Sequence, residues 1–156
     1  MFLEKELFSS IIENTPLISI DLIVRDDENN ILLGKRVNKP AYGSWFVPGG
    51  RIYKDEKIEE AFKRITKDEI GKAYDISTAI FKGIYQHFYD DNVFNDKFST
   101  HYIVLGFELM INEELSLDTI QHEKYKWFEE DELQNSSEVY SYVKDYFKKQ
   151  KGIKND

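Results

Sequence analysis

The chain has 156 residues, 41% of them hydrophobic and 15% aromatic. That suits one domain with a buried core and is too apolar for a disordered chain. A net charge of −8 disfavours a nucleic-acid partner, and the lack of cysteine excludes disulfides, thiolate catalysis and Cys-ligated metals.

The opening MFLEKELFSS is too charged for a secretory signal, and no run of about 18 apolar residues follows it. A soluble cytoplasmic protein is expected. Leu3, Leu7, Phe8, Ile11 and Ile12 share one helical face, which predicts a helix over Leu3–Glu13 that Pro16 closes. Leu17–Val24 (LISIDLIV) reads as a strand, 26–30 as a turn, and Ile31–Arg36 as the partner strand. A glycine- and proline-punctuated loop runs from Pro40 to Gly50. A helix is predicted over Glu56–Ile70, with Asp55 as N-cap and Gly71 as stop. Gly83–Phe88 and His101–Leu109 read as strands, Lys124–Phe128 as a short edge strand, and Ser137–Lys148 as a closing helix. Strands interleaved with spaced helices predict a mixed-sheet α/β or α+β layer fold. Residues 1–150 are expected to form a single domain, with 151–156 a disordered tail.

The helix over 56–70 carries the chemistry. At about 100° per residue, Ile58, Ala61, Phe62 and Ile65 define its apolar stripe, and Glu69 projects from the same face. A bare carboxylate there is costly, so Glu69 must be neutral, paired in a structural ion pair, or bound to a cation. Gly49-Gly50 precedes the helix. Paired glycines let backbone carbonyls approach a ligand, and Mg²⁺ takes oxygen donors of that kind. Loop and inward carboxylate together outline a metal–phosphate site.

The spacing Gly50, Glu56, Arg64, Glu69, Gly71 resembles the box of the Nudix family, Gly-x5-Glu-x7-Arg-Glu-apolar-x-Glu-Glu-x-Gly-apolar. Four positions depart from it. Ile65 stands for the Glu after Arg, Thr66 for the apolar residue, Asp68 for a Glu and Lys72 for the final apolar residue. Ile65 cannot bind a metal, so fewer cations and a relocated base are expected. The GDP-mannose mannosyl hydrolases, a Nudix branch, have a degenerate box of this kind. The resemblance to them extends through TPLISIDLIV, LLGKRVNKPAYGSWFVPGGRI, QHFYDDN, THYIVLGF and QHEKYKWF.

The resemblance implies a Nudix fold, a mixed β-sheet sandwiched between helices. It implies Mg²⁺-dependent hydrolysis of GDP-mannose, and of GDP-glucose, to GDP and free sugar. Water attacks the anomeric carbon with inversion. One Mg²⁺ per subunit is expected on the Gly49 carbonyl, Glu69 and Gln121. His122 is the implied general base, since an imidazole ordinarily titrates close enough to neutrality to take a proton from water. Arg36 and Arg51 are the candidate diphosphate contacts, and Tyr102 a candidate donor to leaving-group oxygens. Asp21 and His87 match substrate-binding positions, or serve structure alone; inside an apolar strand, Asp21 needs a partner in either case. Phe2, Leu3 and Phe8 resemble residues that receive guanine across a homodimer interface, the alternative being plain helix packing. Arg64 is expected to pair with Glu56 and orient Glu69. Two other activities stay open: a pyrophosphohydrolase giving GMP and sugar 1-phosphate, and a silent GDP-sugar-binding module.

Overall fold

The apolar run LISIDLIV becomes strand β1 (Leu17–Arg25), around which a computed structural model arranges the rest of the chain. The structure describes residues 2–115, 117 and 122–149, with His122 and Glu123 described through their backbone alone. On one side β1 runs parallel to β6 (Thr100–Met110), from Leu17 opposite Tyr102 to Arg25 opposite Met110. β6 pairs antiparallel with β5 (Ala79–Tyr89), which ends that side of the sheet. On the other side β1 changes partner. Its end pairs with β2 (Ile31–Arg36) only at Arg25 and Ile31. Its first half pairs instead with β4 (Gly49–Arg51), at Ser19, Ile20 and Asp21. β2 is flanked by β3 (Trp45–Phe46) and β7 (His122–Phe128). β1 and β2 thus diverge from their shared turn, and β4 enters between them.

The turn holds itself. Asp26 Oδ1 accepts the Glu28 and Asn30 N–H groups at 3.0 and 2.8 Å, and Asn29 takes the left-handed conformation that asparagine tolerates.

Alternation along β1 sends side chains to two cores. Ile20, Leu22 and Val24 pack with Ala61, Phe62, Ile65 and Ile70 of α2 (Ile58–Ile70). Ile23 packs with Leu33, Trp45, Val104, Leu133 and Val143 on the face covered by α3 (Glu130–Asn135) and α4 (Ser141–Asp145). α1 (Lys5–Asn14) precedes the sheet. The fold is the expected mixed sheet between helices. No helix among the described residues is long and apolar enough to cross a membrane.

Several boundaries differ from the sequence expectation. α2 begins at Ile58, not Glu56, and Ile58 stays 43% exposed at its first turn. Asp55 has φ 64° and is no N-cap, since it lies in the loop before the helix; Lys57 holds that position. The predicted closing helix over 137–148 is broken. Trp45 N–H donates to Glu138 O at 2.9 Å and Tyr140 N–H to Trp45 O at 3.1 Å, so this backbone serves β3 instead of a helix. β7 begins at His122, two residues inside the expected polar loop, because it pairs along β2 as far as Arg36. The glycine loop, expected to be irregular, supplies β4.

Phe62 is fully buried and meets Phe107 edge-on at 5.4 Å, joining α2 to the sheet. Phe62→Ala is expected to cost roughly 3–5 kcal/mol, read as a lower urea midpoint at unchanged slope.

Candidate active site

The divergence of β1 from β2 leaves a cavity of ≈ 400 Å³. Asp21 reaches it from β1, Arg36 from the end of β2, Gly49 and Arg51 from β4, and Glu69 from the last turn of α2. His87 lines it from β5, Tyr102 from β6 and Phe8 from α1. Phe2 is 92% exposed, and neither it nor the half-buried Leu3 lines the cavity. Gln121 lies outside the described residues, as does the side chain of His122. The His122 backbone stands opposite Arg36 in the β2–β7 register, so β7 starts beside this cavity.

Gly49 is required by close backbone approach. A Cβ there would stand 2.5 Å from Ile20 O and 2.6 Å from Asp21 Oδ1. Beside it, a Cβ on Gly50 would come within 3.2 Å of Ile65 Cγ1. Ile65, buried at 1% exposure, therefore fills with hydrocarbon the place below the glycine loop where the Nudix box has a carboxylate.

Arg64 clamps the strand to the helix. Its Nε donates to Glu56 Oε1 at 2.7 Å, and its Nη2 donates both to Glu56 Oε2 at 2.9 Å and to Arg51 O at 2.7 Å. Glu56 Oε2 also accepts the Tyr53 N–H at 2.9 Å, and the Arg64 guanidinium lies 3.8 Å over the Tyr53 ring. The expected Arg64–Glu56 pair thus forms, and it fixes the helix carrying Glu69 against β4. Donation by Arg64 holds the Glu56 carboxyl below the usual carboxylate range.

Around the cavity the charges are arranged unequally. Burial pushes the Asp21 carboxyl up to about 7, against the opposing effects of the Tyr146 hydroxyl and Arg36. Burial also drives His87 down to about 4, so it is neutral at pH 7; its ring lies flat against Tyr142, 4.3 Å away at 6°. Burial raises Tyr102, which keeps its phenol protonated and able to donate. Arg36 Nε donates to Pro40 O at 3.1 Å, and the Arg51 guanidinium sits 4.3 Å over the Phe8 ring.

The partner that Asp21 required is Tyr146, whose hydroxyl donates to Asp21 Oδ2. The demand of a buried strand aspartate for a donor was legible; which of ten tyrosines answers it depends on the fold.

Glu69 is 5% exposed, and with the Gly49 carbonyl it offers hard oxygen donors of the kind Mg²⁺ takes. Among the described residues, no group of three or more His, Cys, Asp or Glu converges to hold a metal. The donor set fits a cation held by few protein groups.

The sequence model of the NUDIX domain matches residues 15–148. The chain is 39% identical over 123 residues to the low-salt glycan biosynthesis protein Agl8 of Haloferax volcanii, covering 78% of this chain and 76% of that one. Among solved structures, the MutT protein of Methanosarcina mazei Go1 superposes with a TM-score of 0.68 at 20% identity, over 86% of this chain and 92% of that one. The NUDIX domain of Shewanella oneidensis NrtR, solved with ADP-ribose, superposes with a TM-score of 0.62 at 14% identity, over 91% and 94%.

The clamp makes a pH prediction. Because the folded Glu56 value is depressed, its stabilisation is full above the unfolded value and is lost as pH falls through the folded one. The stability gap between wild type and Glu56→Gln, from urea unfolding, should therefore be widest near neutrality and close in acid. A gap independent of pH would remove the ion pair as its source.

Proposed function

The chain belongs to the Nudix hydrolase family, and from that premise we propose that it hydrolyses GDP-mannose, and GDP-glucose, to GDP and the free sugar. The observation that carries this reading is Ile65. With hydrocarbon packed below Gly50, α2 presents fewer carboxylates than the multi-metal attack on phosphorus uses, and an attack at carbon needs fewer. The Haloferax volcanii relative, named for glycan biosynthesis, supports a substrate that carries a sugar.

The Gly49 carbonyl, Glu69 and Gln121 would hold Mg²⁺, which when bound supplies positive charge against the departing diphosphate. Arg36 and Arg51 meet the same charge, as an acidic protein with a phosphorylated substrate requires. Tyr102, protonated by its burial, donates to a leaving oxygen. His122 accepts the proton of the attacking water. The new bond joins the water oxygen to the anomeric carbon on the face opposite the diphosphate. The bond from that carbon to the diphosphate breaks, and its electrons leave with GDP, so the sugar configuration inverts. Asp21 and neutral His87 contact the sugar side, and Phe8 the nucleoside. Phe2 and Leu3 would complete the nucleoside site of a second subunit in a cytoplasmic homodimer.

A pyrophosphohydrolase is the competing reading. Asp68 favours it, because it keeps a carboxylate at a box position and lines the cavity. Chromatography of the products separates the two: GDP with mannose is expected, and GMP with mannose 1-phosphate would overturn the proposal. His122→Ala should lower kcat by about 10²–10⁴-fold and leave GDP binding intact; wild-type turnover would remove His122 as the base. Glu69→Gln should weaken activity and Mg²⁺ dependence together.

A further inference from the structure

A line of buried polar groups follows the cavity wall through Tyr89 and His87, passes behind it at Tyr146 and ends on Asp21. Tyr89 OH lies 3.5 Å from His87 Nδ1, and His87 Nε2 lies 3.5 Å from Tyr146 OH. Tyr146 OH in turn donates to Asp21 Oδ2. His87 is neutral, so it carries one ring proton. Because the Tyr146 proton is engaged by Asp21, the Tyr146 oxygen is left to accept. That assigns the His87 proton to Nε2 and leaves Nδ1 to accept from Tyr89. All the donors then point one way, toward Asp21.

The fold is built to hold this arrangement. Tyr146 is 1% exposed and meets Tyr85 edge-on at 4.6 Å. Gly106 makes room for the pair, since a Cβ there would stand 2.9 Å from Tyr85 Cε2. Four residues before Tyr146, Tyr142 stacks on His87 and ties its hydroxyl to β5, accepting from Phe88 N–H at 3.0 Å and donating to Phe88 O at 2.9 Å. The short helix α4 and the Tyr146 that caps it thus deliver two tyrosines, one to the histidine and one to the aspartate.

We propose that Tyr146 is a positioning residue that pins Oδ2 of Asp21, so that its other oxygen, beside Gly49, is held at the cavity as an acceptor for a sugar hydroxyl. Tyr146 itself does not meet the substrate. Its effect passes through Asp21 and reaches only the sugar half of the ligand. This rests on the reading of the substrate as a nucleoside-diphosphate sugar.

The test uses the full-length protein and three variants: Tyr146→Phe, which keeps the packed ring, Asp21→Ala, which removes the acceptor, and the two combined. Hydrolysis of GDP-mannose and inhibition by GDP are measured with each. Tyr146→Phe should lower kcat/KM roughly ten-fold, as loss of one hydrogen bond to a charged group does, with inhibition by GDP unchanged. The double variant should fall well short of the product of the two single losses, because Asp21→Ala leaves Tyr146 no oxygen to hold. Equal losses toward GDP-mannose and GDP, additive effects in the double variant, or a wild-type kcat/KM would each overturn the proposal. If the wild type releases no free sugar, the proposed function fails by itself. The Tyr146 inference is then read by calorimetry, as the ratio of GDP-mannose to GDP affinity. Tyr146→Phe should reduce that ratio, and an unchanged ratio would overturn the inference.

Discussion

The close approach of β4 to β1 governs the rest of the site. Only a residue without a side chain can sit at position 49, where a Cβ would meet Ile20 O and Asp21 Oδ1. That contact lets the glycine strand replace β2 as the neighbour of β1. It puts Gly49, Asp21 and Glu69 around one cavity. The Arg64 clamp, which joins Glu56 to the Arg51 carbonyl, then fixes the helix at the far end of the same strand.

Burial divides the labour among the groups so assembled. His87 is neutral, Tyr102 is a protonated donor, and Asp21 titrates near neutrality. Arg36 and Arg51 bring positive charge into the cavity of a protein whose net charge is −8. Ile65 sets the limit on what this wall can do with a cation, because its side chain packs where the family box has an acid.

How much of this was legible in the sequence follows from the range of the interactions. Periodicity placed β1 and α2 and turned Glu69 inward, because repeats of two and 3.6 residues are local properties of the chain. The box spacing alone identifies the Arg64–Glu56 pair, whose members lie eight residues apart. The closing segment is not one helix because a tertiary demand, the pairing of residues 138–140 with Trp45, overrides local periodicity. Asp55 looked like a helix cap, but its backbone is left-handed and the cap lies two residues on. Tyr146 could not be matched to Asp21, since 125 residues separate them and only the packing of α4 on the sheet brings them together.

Cleavage at the sugar carbon, as proposed, is tested most directly by the position of isotope from the attacking water. With GDP-mannose hydrolysed in ¹⁸O-water and the products resolved by mass spectrometry, the label should appear in free mannose and be absent from GDP. Label in GMP or in mannose 1-phosphate would place the attack on phosphorus and contradict the account.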